Sequence, residues 1–453
     1  MPAPSFALRS RRVVTPEGVR PALVVVREGR IVRVGPWDDP PAGLPLDDAG
    51  DDAVSPGVVD PHVHANDPGR ADWEGLDHAT RAAAAGGVTT FLDMPLNSVP
   101  PTTTAAGLAA KREAAAGRLA VDVGLWGGVV PGNLDELPAL WEGGVFGFKA
   151  FLAPSGVDEF PALGERELRP AMAVLAALGA PLLVHAELPD RLDEGWGGRT
   201  DAAGRRRYAA WLASRPPEAE AAAIDLVARL AAETGVRVHV VHAASGEAVE
   251  AVRRARAAGV AMTAETCPHY LVQEAESIPD GATLWKCAPP IRGRVHREAL
   301  WSALLAGELD LVASDHSPSP PAGKHLGSGD CAAAWGGISS LQLLLPLVWT
   351  GARARGAGLG RLAGWLSAAP ARLAGLAGRK GAIAPGLDAD LVVWDPEARF
   401  RVEPETLYHR HPTTPYAGRE LAGVVRRTVL RGVEVFDGER VAEPPRGELL
   451  ERR

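Results

Sequence analysis

Val54-Ser-Pro-Gly-Val-Val-Asp-Pro-His62-Val-His64 is the stretch whose reading decides the fold. It is an apolar, β-branched run closed by two histidines. On an extended strand the side chains at i and i+2 share a face, so both imidazoles can grip one metal ion. Such a pair is a weak signal alone, but the rest of the chain repeats the arrangement. Further apolar runs occupy 88–94, 121–129, 145–152, 181–186, 236–243, 260–266 and 309–314, making eight with 54–64. Lys149, His185, His242 and Asp315 fall at or near the ends of four of them.

Between most runs lie Ala-, Leu-, Arg- and Glu-rich stretches of helical character, at 75–85, 104–116, 218–234 and 245–258. Gly86-Gly87 and Gly259 sit just past such stretches, where helix C-caps belong. Strand–helix alternation at this spacing predicts a parallel sheet, and eight repeats predict an α/β fold of the (β/α)8 TIM-type barrel class. Both ends read differently. Short strand-like runs at 22–27 and 31–35 are matched by others at 390–395, 424–431 and 433–436. The expectation is a small β-sandwich domain composed of residues 1–52 and 381–453, with the barrel, 53–380, inserted between them. Residues 319–380 then connect and close the barrel, with helices around 335–347 and 359–376.

Bulk properties bound the function. A chain of 453 residues with 46% hydrophobic and 23% charged content fits a large domain plus a small one in a soluble enzyme. Its net charge is −8 and no basic face is apparent, so nucleic acid is not an expected partner. No run approaches the ~20 apolar residues a membrane helix needs, so a membrane is not expected either. The N-terminus carries no apolar core of signal-peptide length. Three cysteines, Cys267, Cys287 and Cys331, form no disulfide framework, which points to a reducing, cytoplasmic setting. The chain has only five lysines, Lys111, Lys149, Lys286, Lys324 and Lys380, so arginine carries most of the positive charge.

In barrel enzymes the active site lies at the C-terminal ends of the strands. His62, His64, Lys149, His185, His242 and Asp315 would converge there. These are too many donors for one tetrahedral zinc and suit two ions sharing a bridge. Lysine is the odd member, because an ammonium repels a metal. Burial in the apolar run 145–152 lowers its pKa and exposes a neutral amine. That amine can react with carbon dioxide to give a carbamate, an anion with one oxygen for each metal. A site ~3.5–4 Å across can then hold a bridging hydroxide. Each donor also has a plainer reading. A strand-end histidine can be hydrogen-bonded scaffolding, Lys149 can be a Schiff-base or structural lysine, and Asp315 can cap a helix. His239 reads as structural, His269 as either core or supporting the site. His78, His296, His325, His409 and His411 read as surface or loop residues. Asp93 and Glu187 are expected to orient imidazoles.

The motifs Pro56-Gly57-Val-Val-Asp60-Pro-His62-Val-His64, Gly147-Phe148-Lys149, Val184-His185-Ala-Glu187, His242-Ala-Ala-Ser245 and Ser314-Asp315-His316 resemble those of the urease-related amidohydrolase superfamily. The resemblance covers nearly the whole chain and is closest to the cyclic-amide group of dihydroorotases, hydantoinases and allantoinases. It implies that His62, His64, Lys149, His185, His242 and Asp315 are metal ligands, with Lys149 as N6-carboxylysine and Asp315 also catalytic. Two divalent ions are implied, zinc first, with cobalt, manganese or iron as alternatives, and CO2 for the lysine. The full ligand set speaks against a non-catalytic assembly protein built on this barrel.

Within the group, Asp93-Met-Pro-Leu-Asn97-Ser-Val-Pro-Pro-Thr102, Lys286-Cys-Ala-Pro-Pro-Ile-Arg292, Ser314-Asp-His-Ser-Pro318 and Ala334-Trp-Gly-Gly-Ile338 resemble the allantoinase form. Dihydroorotases carry an arginine where this chain has Asn66. Hydantoinases carry a tyrosine after the lysine, and none occurs here between Ala150 and Tyr208. Ala288 departs from the serine common before Pro-Pro. The resemblance implies hydrolysis of the hydantoin ring of allantoin to allantoate in purine breakdown, with main-chain groups at Asn97, Cys287 and Ser317 holding the substrate. The alternative is a hydantoinase or dihydropyrimidinase acting on another cyclic amide. Relatives also imply a homo-oligomer, a tetramer or a dimer.

Overall fold

The computed structural model describes residues 4–452. Five strands precede the barrel: β1 (Phe6–Thr15), β2 (Gly18–Arg27), β3 (Arg30–Gly35), β4 (Leu46–Asp48) and β5 (Ala53–Pro56). The barrel is built from β6 (Val58–Val63), β7 (Val88–Asp93), β8 (Asp122–Leu125), β9 (Gly127–Gly128), β10 (Phe148–Phe151), β11 (Leu182–His185), β12 (Val238–Val240), β13 (Met262–Thr266) and β14 (Leu311–Val312). β15 (Leu391–Arg401), β16 (Glu420–Leu430) and β17 (Val433–Phe436) follow it.

The barrel strands pair in parallel, β6 to β8 in one group and β9 to β14 in the other. β8 and β9 are two halves of the run 121–129, parted only at buried Trp126, so the eight apolar runs supply the barrel's eight strand positions. Parallel strands covered on both faces read as near-continuous apolar runs, which is why these were legible. The ring closes between β14 and β6. Val63 bridges His316 in parallel, and Asp60 Oδ1 accepts the N–H groups of His62 and Ser314, each at 3.2 Å. The expected helices form at Leu76–Ala85, Ala105–Ala115, Pro217–Thr234 and Gly246–Ala257. Thr104 and Ser245 start two of them, their hydroxyls accepting the N–H groups of Gly107 and Ala248.

The first run serves two sheets. At Gly57 a Cβ would lie 2.2 Å from Thr89 Oγ1, so only glycine lets the chain pass there. Before it, β5 pairs with β1 and β15; after it, β6 enters the barrel. The terminal strands form one hydrogen-bonded sheet in the order β17-β16-β15-β5-β1-β2-β3, with β4 on β1. Its core draws on both chain ends, with Leu8, Val24 and Ile31 beside Leu391, Val393 and Val429. Lys380 ties this sheet to the barrel: its buried Nζ lies 2.9 Å from Asp122 Oδ2 on β8 and 2.6 Å from Asp390 Oδ2. The chain end returns to the barrel. The Val123 N–H donates to Glu448 O at 2.9 Å, and the Leu450 N–H to Val123 O at 2.7 Å.

One element differs from expectation. The helix expected around 335–347 begins at Leu344. Trp335–Ser340 stays extended because Ile338 bridges His316 and the Ser340 N–H donates to His316 Nδ1 at 3.1 Å. Tertiary pairing overrides the local pattern there. The second expected helix runs from Leu359 to Leu373 with a π turn at Gly364–Ala368. No helix among the described residues is long and apolar enough to cross a membrane.

Candidate metal centre

Five strands bring the six candidate side chains to the C-terminal mouth. His62 lies within β6 and His64 just beyond it, Lys149 is the second residue of β10, and His185 ends β11. His242 follows β12 and Asp315 follows β14, both with positive φ, 41° and 43°. Asn66 and Asn97 share that conformation, at 62° and 66°. Strained backbone of this kind persists where packing over-determines it, and it gathers here at the mouth.

Asp315 Oδ1 stands 3.3 Å from His62 Nε2 and 3.6 Å from His64 Nε2. The donor atoms of these three side chains all lie within 4.8 Å of one another. On the opposite side His185 Nδ1 approaches His242 Nε2 to 3.0 Å. The His62 ring is 5.5 Å from both the His64 and His242 rings, so the two groups adjoin.

Supporting carboxylates fix which nitrogen faces inward. His62 Nδ1 lies 2.5 Å from Glu265 Oε1, leaving Nε2 toward Asp315. His185 Nε2 lies 2.8 Å from Glu187 Oε2, leaving Nδ1 toward His242. Arg215 holds Glu187 by two hydrogen bonds, at 3.0 and 2.6 Å. Burial lowers His185 to a pKa of about 4 and takes His64 and His242 well below the usual histidine value. These imidazoles are therefore neutral near pH 7, with lone pairs available.

All five lysines are buried, so burial does not single out Lys149. Partnering does. Lys111 pairs with Asp93, Lys286 donates to Ala334 O, Lys324 to Trp335 O, and Lys380 to Asp122 and Asp390. Lys149 Nζ has no hydrogen-bond partner among the described residues. Desolvation lowers its pKa to about 8, against the pull of Glu265 and Asp315. An orphaned amine beside converging lone pairs and a carboxylate fits a divalent metal centre in which the lysine is modified.

Some expectations need correction. Asp93 orients no imidazole; its Oδ2 meets Lys111 and its Oδ1 accepts the Ala65 N–H at 2.8 Å. His409 is buried, its ring 4.8 Å from that of His316. His239 is structural as expected, held between Thr263 Oγ1 at 2.8 Å and Glu265 Oε2 at 2.9 Å. His269 is buried beside Cys267 and Asp315. Glu265 was missed, although a lone carboxylate inside the apolar run 260–266 was a signal. Asn97 reaches His64 Nδ1 with Nδ2 at 3.4 Å. The Cys287 carbonyl accepts Trp211 Nε1–H at 3.2 Å, and the Ser317 N–H donates to Ile338 O at 3.1 Å.

Residues 53–435 match the Amidohydrolase family. The chain belongs to this family. Among curated amidohydrolases of this kind it is similar to an allantoinase of Streptomyces avermitilis, 52% identical over 99% of this chain and 98% of the relative. It is likewise similar to an allantoinase of Arabidopsis thaliana, 41% identical over 99% of this chain and 91% of the relative. Among solved structures, the L-hydantoinase (dihydropyrimidinase) from Arthrobacter aurescens superposes with a TM-score of 0.93 at 32% identity, covering 99% of this chain and 100% of that one. As an amidohydrolase the chain has the fold expected of it, a parallel barrel with a sheet drawn from both termini.

Proposed function

We propose that this amidohydrolase opens the hydantoin ring of allantoin by adding water across a ring amide, giving allantoate. The observation that carries this reading is full-length similarity to curated allantoinases in a chain that keeps all six candidate donors at one barrel mouth. His62, His64, Lys149, His185, His242 and Asp315 would hold two divalent ions, zinc by preference, with cobalt, manganese or iron able to use the same imidazole and oxygen donors. Bound there, the ions would polarise the ring carbonyl and acidify the attacking water.

The chain's own residues do the rest. Neutral Lys149 Nζ adds to CO2; the new N–C bond forms as Nζ loses a proton to solvent, leaving the carbamate of N6-carboxylysine. Glu265 and Glu187 hold His62 and His185 in their tautomers. Asp315 takes the proton of the attacking water and delivers it to the ring nitrogen as the C–N bond breaks. Burial raises Asp315 above the usual carboxylate range, which suits a group that must accept a proton and return it. Asn97 and main-chain groups at Cys287 and Ser317 would hold the ureide edges. The working unit in this reading is a cytoplasmic homo-oligomer, a tetramer or a dimer. Its chain divides into the barrel, 53–380, and a composite small domain of 1–52 with 381–453.

A second reading, a hydantoinase or dihydropyrimidinase, draws support from the Arthrobacter aurescens neighbour. It lacks the tyrosine that such enzymes carry after the lysine. One experiment separates the two. Protein purified with bicarbonate and loaded with zinc, cobalt or manganese is given allantoin, hydantoin, 5,6-dihydrouracil and dihydroorotate side by side. Preference for allantoin supports the first reading; preference for hydantoin or dihydrouracil replaces it with the second.

A further inference from the structure

Asp315 belongs to two groups of potential ligands. Its carboxylate lies within 4.8 Å of donor atoms of His62 and His64, and likewise of Cys267 and His269. Cys267 and His269 play no part in the reaction described above. Cys267 follows β13 directly and is the N-cap residue of the short helix Pro268–Val272, which carries His269. Cys267 and His269 are fully buried. His269 has no hydrogen-bond partner at either ring nitrogen among the described residues, an uncommon state for a buried imidazole.

We propose that Cys267, His269 and Asp315 form an additional site for a thiophilic divalent cation such as zinc or cadmium, and that filling it inhibits the enzyme. Sulfur, imidazole and carboxylate are the donor types zinc accepts together, and the sulfur favours soft cations over magnesium or manganese. Desolvation keeps the free thiol protonated. A cation in the cradle reverses that: the Sγ–H bond breaks, the proton leaves to solvent, and the thiolate pair binds the metal. The inhibitory half rests on the assignment of Asp315 as the proton carrier, since a further cation on its carboxylate would occupy the oxygen that must take the proton. The binding half does not depend on it.

Cobalt provides the test. Added to full-length protein beyond the two ions of the catalytic centre, it develops a near-ultraviolet thiolate-to-cobalt absorption that Cys267→Ser abolishes. In activity assays, excess zinc inhibits the unsubstituted enzyme, and Cys267→Ser raises the half-inhibitory zinc concentration by ~10-fold or more. Crystals of the unsubstituted protein grown with excess zinc show an anomalous peak among Cys267 Sγ, His269 and Asp315, which settles the question if the variant does not fold. No absorption in the unsubstituted protein, the same absorption in the variant, or no peak at that position overturns the site. The absorption and peak without inhibition would keep the site but remove its effect on activity. Absence of allantoin turnover would count against the proposed function and leave both binding measurements standing.

Discussion

Glu265 Oε1 lies 2.5 Å from His62 Nδ1, and the same carboxylate reaches His239 Nε2 with its other oxygen at 2.9 Å. One buried anion on β13 thus sets the orientation of an imidazole on β6 and anchors another on β12. Its pKa is held far below the usual value: His62 and His239 outweigh the desolvation that pushes the other way. The carboxylate therefore stays ionised in the barrel interior, an acceptor placed at His62 Nδ1.

Glu265→Ala removes the acceptor for both histidines. Metal affinity is expected to fall ~10–100-fold, with activity restored in part by excess metal. Metal content after dialysis against a chelator buffer, read beside turnover, checks this. Unchanged retention of metal would show that His62 needs no such support.

The fold was readable because the parallel strands are covered on both faces and leave eight apolar runs. The candidate ligands were readable because each lies at, near or just past the end of such a run. What escaped was three-dimensional pairing. Nothing near His409 in sequence announces that it packs on His316, some ninety residues earlier, beneath the barrel's closing bridge. Asp93 closes β7 as His185 closes β11, yet it turns toward Lys111 on the following helix rather than toward an imidazole. Glu265 was hidden by the opposite error, an apolar run read as a whole, although a carboxylate with both faces of its strand covered requires partners.

Lys149 should give the metal-free protein a distinctive pH response. Only the free amine adds to CO2, and burial lowers the pKa from 10.5 to about 8. At fixed dissolved CO2, the rate of carbamate formation should climb about tenfold per pH unit toward pH 8 and then flatten. Carbon-13 NMR with labelled CO2 follows it. A rate still climbing beyond pH 9 would mean an ordinary lysine. The linked stability change has a definite sign. The unfolded chain binds more protons between the two pKa values, so stability of the metal-free protein rises with pH from about 8 to 10.5.

Lys111→Met leaves Asp93 buried without its ammonium partner, both groups being 1% exposed. Breaking such a pair costs about 3–5 kcal/mol. Denaturant unfolding of the metal-free variant measures the loss. Desolvation already raises Asp93, so the deficit should shrink as pH falls and the carboxyl becomes neutral. A loss below ~1 kcal/mol would show that water reaches Asp93 in the variant.

Gly337→Ala tests how far the loop after β14 depends on a single close approach. Gly337 has φ +136°, and an added Cβ would meet the Ser317 carbonyl at 2.1 Å. The methyl group must push Ser317 away, two residues after Asp315, whose carbonyl accepts the Ser317 hydroxyl at 3.0 Å. A shift of about 1 Å at a proton-carrying group costs ~100-fold in rate. The four histidines and Lys149 lie on other strands and should keep metal bound. The expected result is therefore a large fall in kcat/KM with near-normal metal content. Full activity would mean that the loop adjusts without moving Asp315, and loss of both ions would mean that Asp315 governs metal retention more than proton transfer.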